Sequence, residues 1–242
     1  MEQRISRRYL LSSMALSAAA MSLSACVGNR GNSASVGFDA QNRFGGSIQS
    51  PNTVSDADIL APYSAMYGAK SDSGFNLPAI PFKKIDPQFL RQVVADPTGE
   101  APGTIVVDTK RRYLYLVREN NKAIRYGVGI GRAGFAWSGR AIIQYKKKWP
   151  IWTPPPEMIE RQPELRQYSA ENGSMKPGLR NPLGARALYI FQDGKDTLYR
   201  LHGSPEWWSI GKAMSSGCVR LINQDIIDLY DRVPEKSPIL VV

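Results

Sequence analysis

The sequence predicts a mostly β domain, sandwich-like and with a few short helices, over residues 101–242. Three observations carry that expectation. Short runs rich in β-branched and aromatic residues recur from Thr104 to Val242, and one of them alternates with the two-residue period of a strand. Turn signals stand between the runs, and apolar residues at helical spacing are confined to short stretches near Phe89 and Leu229.

Taken in order, Thr104–Asp108 and Arg112–Val117 read as strands. Ile124, Tyr126, Val128 and Ile130 alternate with Arg125, Gly127 and Gly129, and Glu119-Asn120-Asn121 turns the chain between these runs into a hairpin. The alternating glycines leave one face bare, which suits either the close approach of a substrate backbone or a bulge. Lys146-Lys147-Lys148, followed by Trp149, Trp152 and Pro154-Pro155-Pro156, is a basic patch interleaved with aromatics. It reads as a solvated charge run beside packed tryptophans or as a rim for an acidic polymer. Arg186–Phe191 and Thr197–His202 are two further strands. Asn223 is placed to cap a helix bearing Ile226, Leu229, Tyr230 and Val233, which Pro234 stops, and Pro238–Val242 closes the domain as a strand.

Upstream, residues 59–100 form a transitional segment. Asp86 as N-cap and Pro87 at the first position start a short helix whose Phe89, Leu90 and Val93 share a face. Residues 26–58 are rich in Gly, Ser and Asn and too poor in large apolar residues to offset their ordering entropy, so they read as a flexible tether. Residues 1–25 read as an export signal: Arg7-Arg8 precede a modestly apolar run in the twin-arginine manner. The signal ends in Leu23-Ser24-Ala25-Cys26, which looks like a lipobox with Cys26 as the acylated residue. A periplasmic protein tethered to a membrane, more readily the outer one, is the expectation.

The formal net charge of +10 survives removal of the signal nearly intact, since residues 1–25 hold three arginines against one glutamate. A basic protein suits an anionic partner. Export argues against nucleic acid and leaves a membrane face or an acidic polymer. With Cys26 lipidated, Cys218 is the only thiol of the mature chain and has no intramolecular partner for a disulfide.

Chemistry concentrates between His202 and Asn223. This stretch holds the only histidine of the chain and one of its two cysteines, sixteen positions apart. A thiol needs a base to become a nucleophile, and imidazole serves best near neutral pH. Ser215-Ser216-Gly217-Cys218 puts small residues before the sulfur, where backbone N–H groups can face an oxyanion. The bland alternatives are a core cysteine and a core histidine.

His202-Gly203, then Ser215-x-Gly217-Cys218-Val219-Arg220, then Asn223, resembles the active-site signature of the L,D-transpeptidases with the YkuD domain. The resemblance extends through Asn181-Pro182-Leu183-Gly184-Ala185-Arg186, Lys148-Trp149-Pro150-x-Trp152 and Gly103-Thr104-Ile105-Val106-Val107-Asp108, and so covers residues 100–242. Many members carry histidine where Ser216 stands and threonine where Ser204 stands.

The resemblance implies a sandwich-like catalytic domain and a peptidoglycan tetrapeptide stem as donor. Cys218 would attack the carbonyl of the third, diamino-acid residue with release of the terminal D-alanine, and His202 would be its base, oriented by a backbone carbonyl near Gly203 or Ser204. Ser215, Ser216, Gly217 and Gly203 would shape the oxyanion site. Arg220 would hold the acidic substrate or brace the loop against a carboxylate. The thioester would pass to an amine of a neighbouring stem, giving 3-3 cross-links, or of a protein to be anchored, with no cofactor. One histidine and one available cysteine also fall short of a usual zinc site. The alternatives are an L,D-carboxypeptidase with the same acyl-enzyme, a wall-binding anchor without activity, and a structural lipoprotein.

Overall fold

The computed structural model describes residues 62–131, 137–215 and 217–242. The residues read as export signal and tether, with Cys26, and Ser216 lie outside the described residues. Nine strands form one mixed sheet. In chain order they are β3 (Gln92–Ala95), β4 (Ile105–Asp108), β5 (Tyr113–Arg118), β6 (Lys122–Gly127), β8 (Gly139–Lys148), β9 (Arg186–Gln192), β10 (Lys195–Ser204), β12 (Val219–Ile222) and β13 (Pro238–Val241). Across the sheet the order is β12-β10-β9-β8-β13-β4-β5-β6-β3. Two short pairs stand apart, β1 (Lys70–Asp72) with β2 (Phe75–Leu77) and β7 (Ile130–Gly131) with β11 (Ala213–Ser215). Two helices, α1 (Pro156–Arg161) and α2 (Asn223–Arg232), are accompanied by 3-10 segments between strands and by helical residues 62–66. The expected mostly β class with few helices is what the chain adopts.

Local sequence accounts for the hairpins. Asn120 and Asn121 both take positive φ between β5 and β6, which asparagine tolerates better than other side chains. Asp193-Gly194 turns β9 into β10 in the same way, and Ser73-Gly74 turns β1 into β2. β13 lies mid-sheet, parallel to β4 on one side and antiparallel to β8 on the other. Its Ile239 and Val241 join Ile105, Leu114, Ile143, Leu188, Leu201 and Leu221 in one core cluster with Ile226 and Leu229 of α2.

Three expectations are corrected. The helix over Ile85–Val94 is only one 3-10 turn, Pro87–Phe89, with the Gln88 amide donating to Asp86 Oδ1 at 3.1 Å. Beyond it Gln92–Ala95 pairs with β6, because Val93 and Val94 suit an edge strand and backbone pairing outweighs weak helical spacing. Strand β3, from the segment read as transitional, thus completes the sheet. Asn223 does not cap α2. The cap position is Ile222, without a side-chain bond, and Asn223 serves a loop described below. The bare glycine face receives protein: a Cβ at Gly127 would lie 2.3 Å from the Phe89 carbonyl oxygen, and one at Gly129 would lie 2.7 Å from that of Ser209.

The segment before residue 100 is bound to the rest by polar contacts. Arg186, 2% exposed, donates to both Asp72 oxygens at 2.7 Å, and Trp149 Nε1 donates to the same carboxylate at 2.6 Å. Tyr67 donates to the fully buried Asp225 of α2 at 3.2 Å. Burial raises the Asp225 carboxyl to about 7, with Arg91 opposing. The lysine run splits by strand alternation. Lys146 Nζ donates to the Tyr230 and Val233 carbonyls at the end of α2, at 2.8 and 2.6 Å, where a cation meets the negative helix terminus.

Candidate active site

Strands β10 and β12 run parallel, with Leu201 opposite Val219 and His202 opposite Arg220. Leu201 and Val219 are fully buried in the core, so His202 and Arg220 face the other side of the sheet. Cys218 directly precedes Val219 and therefore shares the side of Arg220 and His202, next to Arg200. Two-residue alternation on adjacent strands brings the thiol and the imidazole to one face.

His202 is 5% exposed, and its Nδ1 lies 2.6 Å from the Gly203 carbonyl oxygen. A carbonyl only accepts, so Nδ1 carries the hydrogen and Nε2 is left as the base. Burial lowers the imidazole to about 4; the Gly203 carbonyl opposes this, and the Arg220 and Arg200 charges reinforce it. His202 is therefore neutral at pH 7 and able to take a proton.

Cys218 carries a reduced thiol, outside any disulfide, at intermediate exposure. Burial pushes its pKa up, while a hydrogen bond from the Arg200 backbone and the charges of Arg200 and Arg220 pull it down. Resting thiol and imidazole are both uncharged, so the thiolate forms as the base removes its proton, not as a standing ion pair.

The loop around the pair is tightly built. Asn223 Oδ1 accepts the Ala185 amide hydrogen at 2.9 Å and packs against Gly203, where an added Cβ would lie 2.3 Å from that oxygen. No side chain fits at Gly203, so the carbonyl that orients His202 is held on a strand with no room to shift. Gly217 has φ +134°, a conformation L side chains rarely adopt. Ser215 stands in β11 opposite Gly131. Ser216 lies outside the described residues.

Arg220 donates to Glu206 Oε2 at 2.6 Å, which is the bracing alternative for this residue. Ser204 Oγ accepts the Glu206 amide hydrogen at 3.1 Å, so the Glu206 end of this ion pair is tied back to strand β10. Sequence reasoning missed Arg200 and Glu206. Arg200 lies two residues before His202 on one strand, so the period of β10 could have placed it on the site's face. Glu206 gave no such signal, because its pairing depends on a loop path.

A thiol on the same sheet face as a neutral imidazole of fixed tautomer, at the edge of a mostly β domain, is an arrangement able to perform acyl transfer through a thioester. Comparison with known proteins gives the class a family. Residues 102–241 match the model of the YkuD L,D-transpeptidase catalytic domain, and the chain belongs to that family.

Among relatives, the Escherichia coli protein named "Probable L,D-transpeptidase YbiS" is 34% identical over 137 residues, 54% of this chain and 42% of that one. Bacillus subtilis YqjB, also named an L,D-transpeptidase, is 34% identical over 151 residues, 60% of this chain and 76% of that one. A solved Brucella melitensis structure, bearing the name "Probable carnitine operon oxidoreductase caia", is 48% identical, covering 64% of this chain and 94% of that one at a TM-score of 0.44. The oxidoreductase of that name is said of that protein alone. Against the larger curated relatives, the matched segment spans less than half their length, 42% and 44% in two Escherichia coli proteins.

Proposed function

We propose that the protein is a cysteine-dependent L,D-transpeptidase acting on peptidoglycan tetrapeptide stems. The observation that carries this reading is His202, neutral and with Nδ1 tied to the Gly203 carbonyl, on the same sheet face as Cys218. Cys218 gives its proton to His202 Nε2 as sulfur attacks the carbonyl of the third stem residue. Backbone N–H groups of Gly217 and Cys218, with that of Ser216, hold the oxyanion. The imidazolium, a strong acid in its buried setting, protonates the nitrogen of the departing D-alanine, leaving a thioester on Cys218. An acceptor amine then loses its proton to His202, attacks the thioester and releases the thiol. The acceptor is the side-chain amine of a second stem, giving a 3-3 cross-link, or an amine of a protein to be attached to the wall. The thioester retains the free energy of the cleaved amide, so no nucleotide is consumed.

Intact-mass spectrometry after incubation with a disaccharide-tetrapeptide tests this. An adduct that requires Cys218, followed by cross-linked dimer, is the expected result. Adduct followed only by free tripeptide would make the enzyme a carboxypeptidase, and no adduct on reduced protein would sink acyl transfer altogether.

The same reading places the enzyme in the periplasm, exported by its twin-arginine-like signal and anchored through acylated Cys26. Cys26→Ser is expected to move it from the membrane to the soluble fraction. Retention in the membrane would rule out that anchor.

A further inference from the structure

The face of the sheet that carries Cys218 and His202 continues across β9 and β8. Arg200 lies opposite Tyr189 and His202 opposite Ala187; one strand further, Tyr145 lies opposite Tyr189 and Lys147 opposite Ala187. Leu201, Leu188 and Ile143 face the core from the same strands. By alternation, Lys147 therefore lies on the catalytic side, whereas Lys146 and Lys148 turn toward Tyr230 of α2, at 4.1 and 5.9 Å from its ring. One lysine of the run faces the site, and the other two serve the helix.

The cations on this face differ in what they already hold. Arg200 donates to both Asp196 oxygens, at 2.7 and 2.8 Å, and Arg220 is bound to Glu206. Lys147 is exposed, and among the described residues no carboxylate lies within ion-pair distance of it. Its ammonium stands 5.7 Å from the Tyr145 ring centre and 5.6 Å from that of Tyr189, and these two rings stack at 4.3 Å. The far face of Tyr189 meets the Arg200 guanidinium at 4.4 Å. The aromatic pair thus fixes a platform, and Lys147 is a positive charge held over it without a counter-ion. Two strand spacings separate Lys147 from His202, roughly 10 Å, which a short extended peptide spans.

We propose that Lys147, standing over the Tyr145–Tyr189 pair, is a carboxylate-binding subsite that holds an acidic peptide whose reacting carbonyl lies at Cys218. This inference rests on the acyl-transfer reading for the position of the carbonyl, but not for the binding of the peptide. Charge complementarity selects the occupant, because among the described residues Lys147 brings to this stretch of the face a positive charge with no ion-pair partner. The edges of the stacked tyrosines give the ammonium an apolar, rigid border, since the Tyr189 faces are taken by Tyr145 and Arg200.

Calorimetric titration of the full chain carrying Cys218→Ala tests the subsite, using a disaccharide-tetrapeptide with free stem carboxylates and the same compound with those carboxylates amidated. The acidic ligand is expected to bind more tightly, with a preference that shrinks as salt rises. Lys147→Ala should weaken it about fivefold, as for an exposed charge pair, and abolish the preference, while Lys147→Arg retains it. The amidated ligand should not respond to either change. Equal loss for both ligands, no loss for the acidic one, or binding of neither would overturn the proposal. Lys147-dependent binding without any acyl adduct on the unmodified enzyme would leave the subsite standing and remove the transfer reading. Adduct formation with affinities indifferent to Lys147 would do the reverse.

Discussion

His202→Ala lowers the rate of Cys218 acylation by about 10²–10⁴-fold, the usual contribution of a positioned base. The size of the loss follows from the resting state. Burial keeps the Cys218 proton on sulfur and the His202 ring neutral, so hardly any thiolate exists until the imidazole removes that proton. The pH dependence separates this role from a structural one. The unmodified enzyme should hold a level rate through the neutral range and lose it only as pH falls toward about 4, where His202 protonates. Without the imidazole, reaction depends on the thiolate present, so the remaining rate should climb about tenfold per pH unit up to the raised thiol pKa. A variant that stays folded by circular dichroism, and whose slow rate is level across neutral pH, would show that His202 is not the base.

Asp72→Ala destabilises the fold by about 3–5 kcal/mol, the range for removing one partner of a buried ion pair. Arg186 is almost wholly enclosed and spends two N–H donors on Asp72, and Trp149 loses the acceptor of its indole at the same time. Arg186 holds the Asp72 carboxyl below the usual range, so the stability it supplies is complete above the unfolded value near 4 and fades as pH falls through the native one. Urea denaturation at pH 7 measures the loss. A change under about 1 kcal/mol would mean that water or another group replaces the carboxylate. Adding Arg186→Met to Asp72→Ala should recover part of the stability, because no charge then remains buried unpaired.

How much of this was legible varies with the range of the interactions. The hairpin of β5 and β6 was plain, because β-branched alternation and two asparagines suffice to specify it locally. The candidate pair also stood out in the sequence, as a lone histidine and a cysteine after Ser215-Ser216-Gly217, and strand register sets both on one face. The stretch after Pro87 was misread because Asp86 and Pro87 fix only one turn, while the fate of Val93 and Val94 is decided by an edge some thirty residues away. Asn223 looked like a cap by position, yet its oxygen is taken by the Ala185 amide on a distant loop. The partner of Arg220 could not be selected, since a carboxylate in a loop carries no periodic signal. The lysine run was read as one patch, although strand alternation divides it between two faces with different tasks.

The position of β13 has a kinetic consequence. Within the nine-stranded sheet it is the seam between β12-β10-β9-β8 and β4-β5-β6-β3, two four-stranded pieces made largely of neighbours in sequence, which the β7–β11 pair and the Gly129–Arg220 bridge also link. Each piece can begin from its own hairpins. Joining them within the sheet requires Ile239 to find Ile105 across more than a hundred residues of chain, so a large loop-closure cost falls on this strand. Docking of β13 is therefore expected late in the assembly of the sheet, and the halves before it are open at the edges that β13 will occupy. Cys218, just ahead of β12 at the far side of the first piece, and His202 on β10 belong to the part that pairs without β13, but the core beneath them is complete only afterwards.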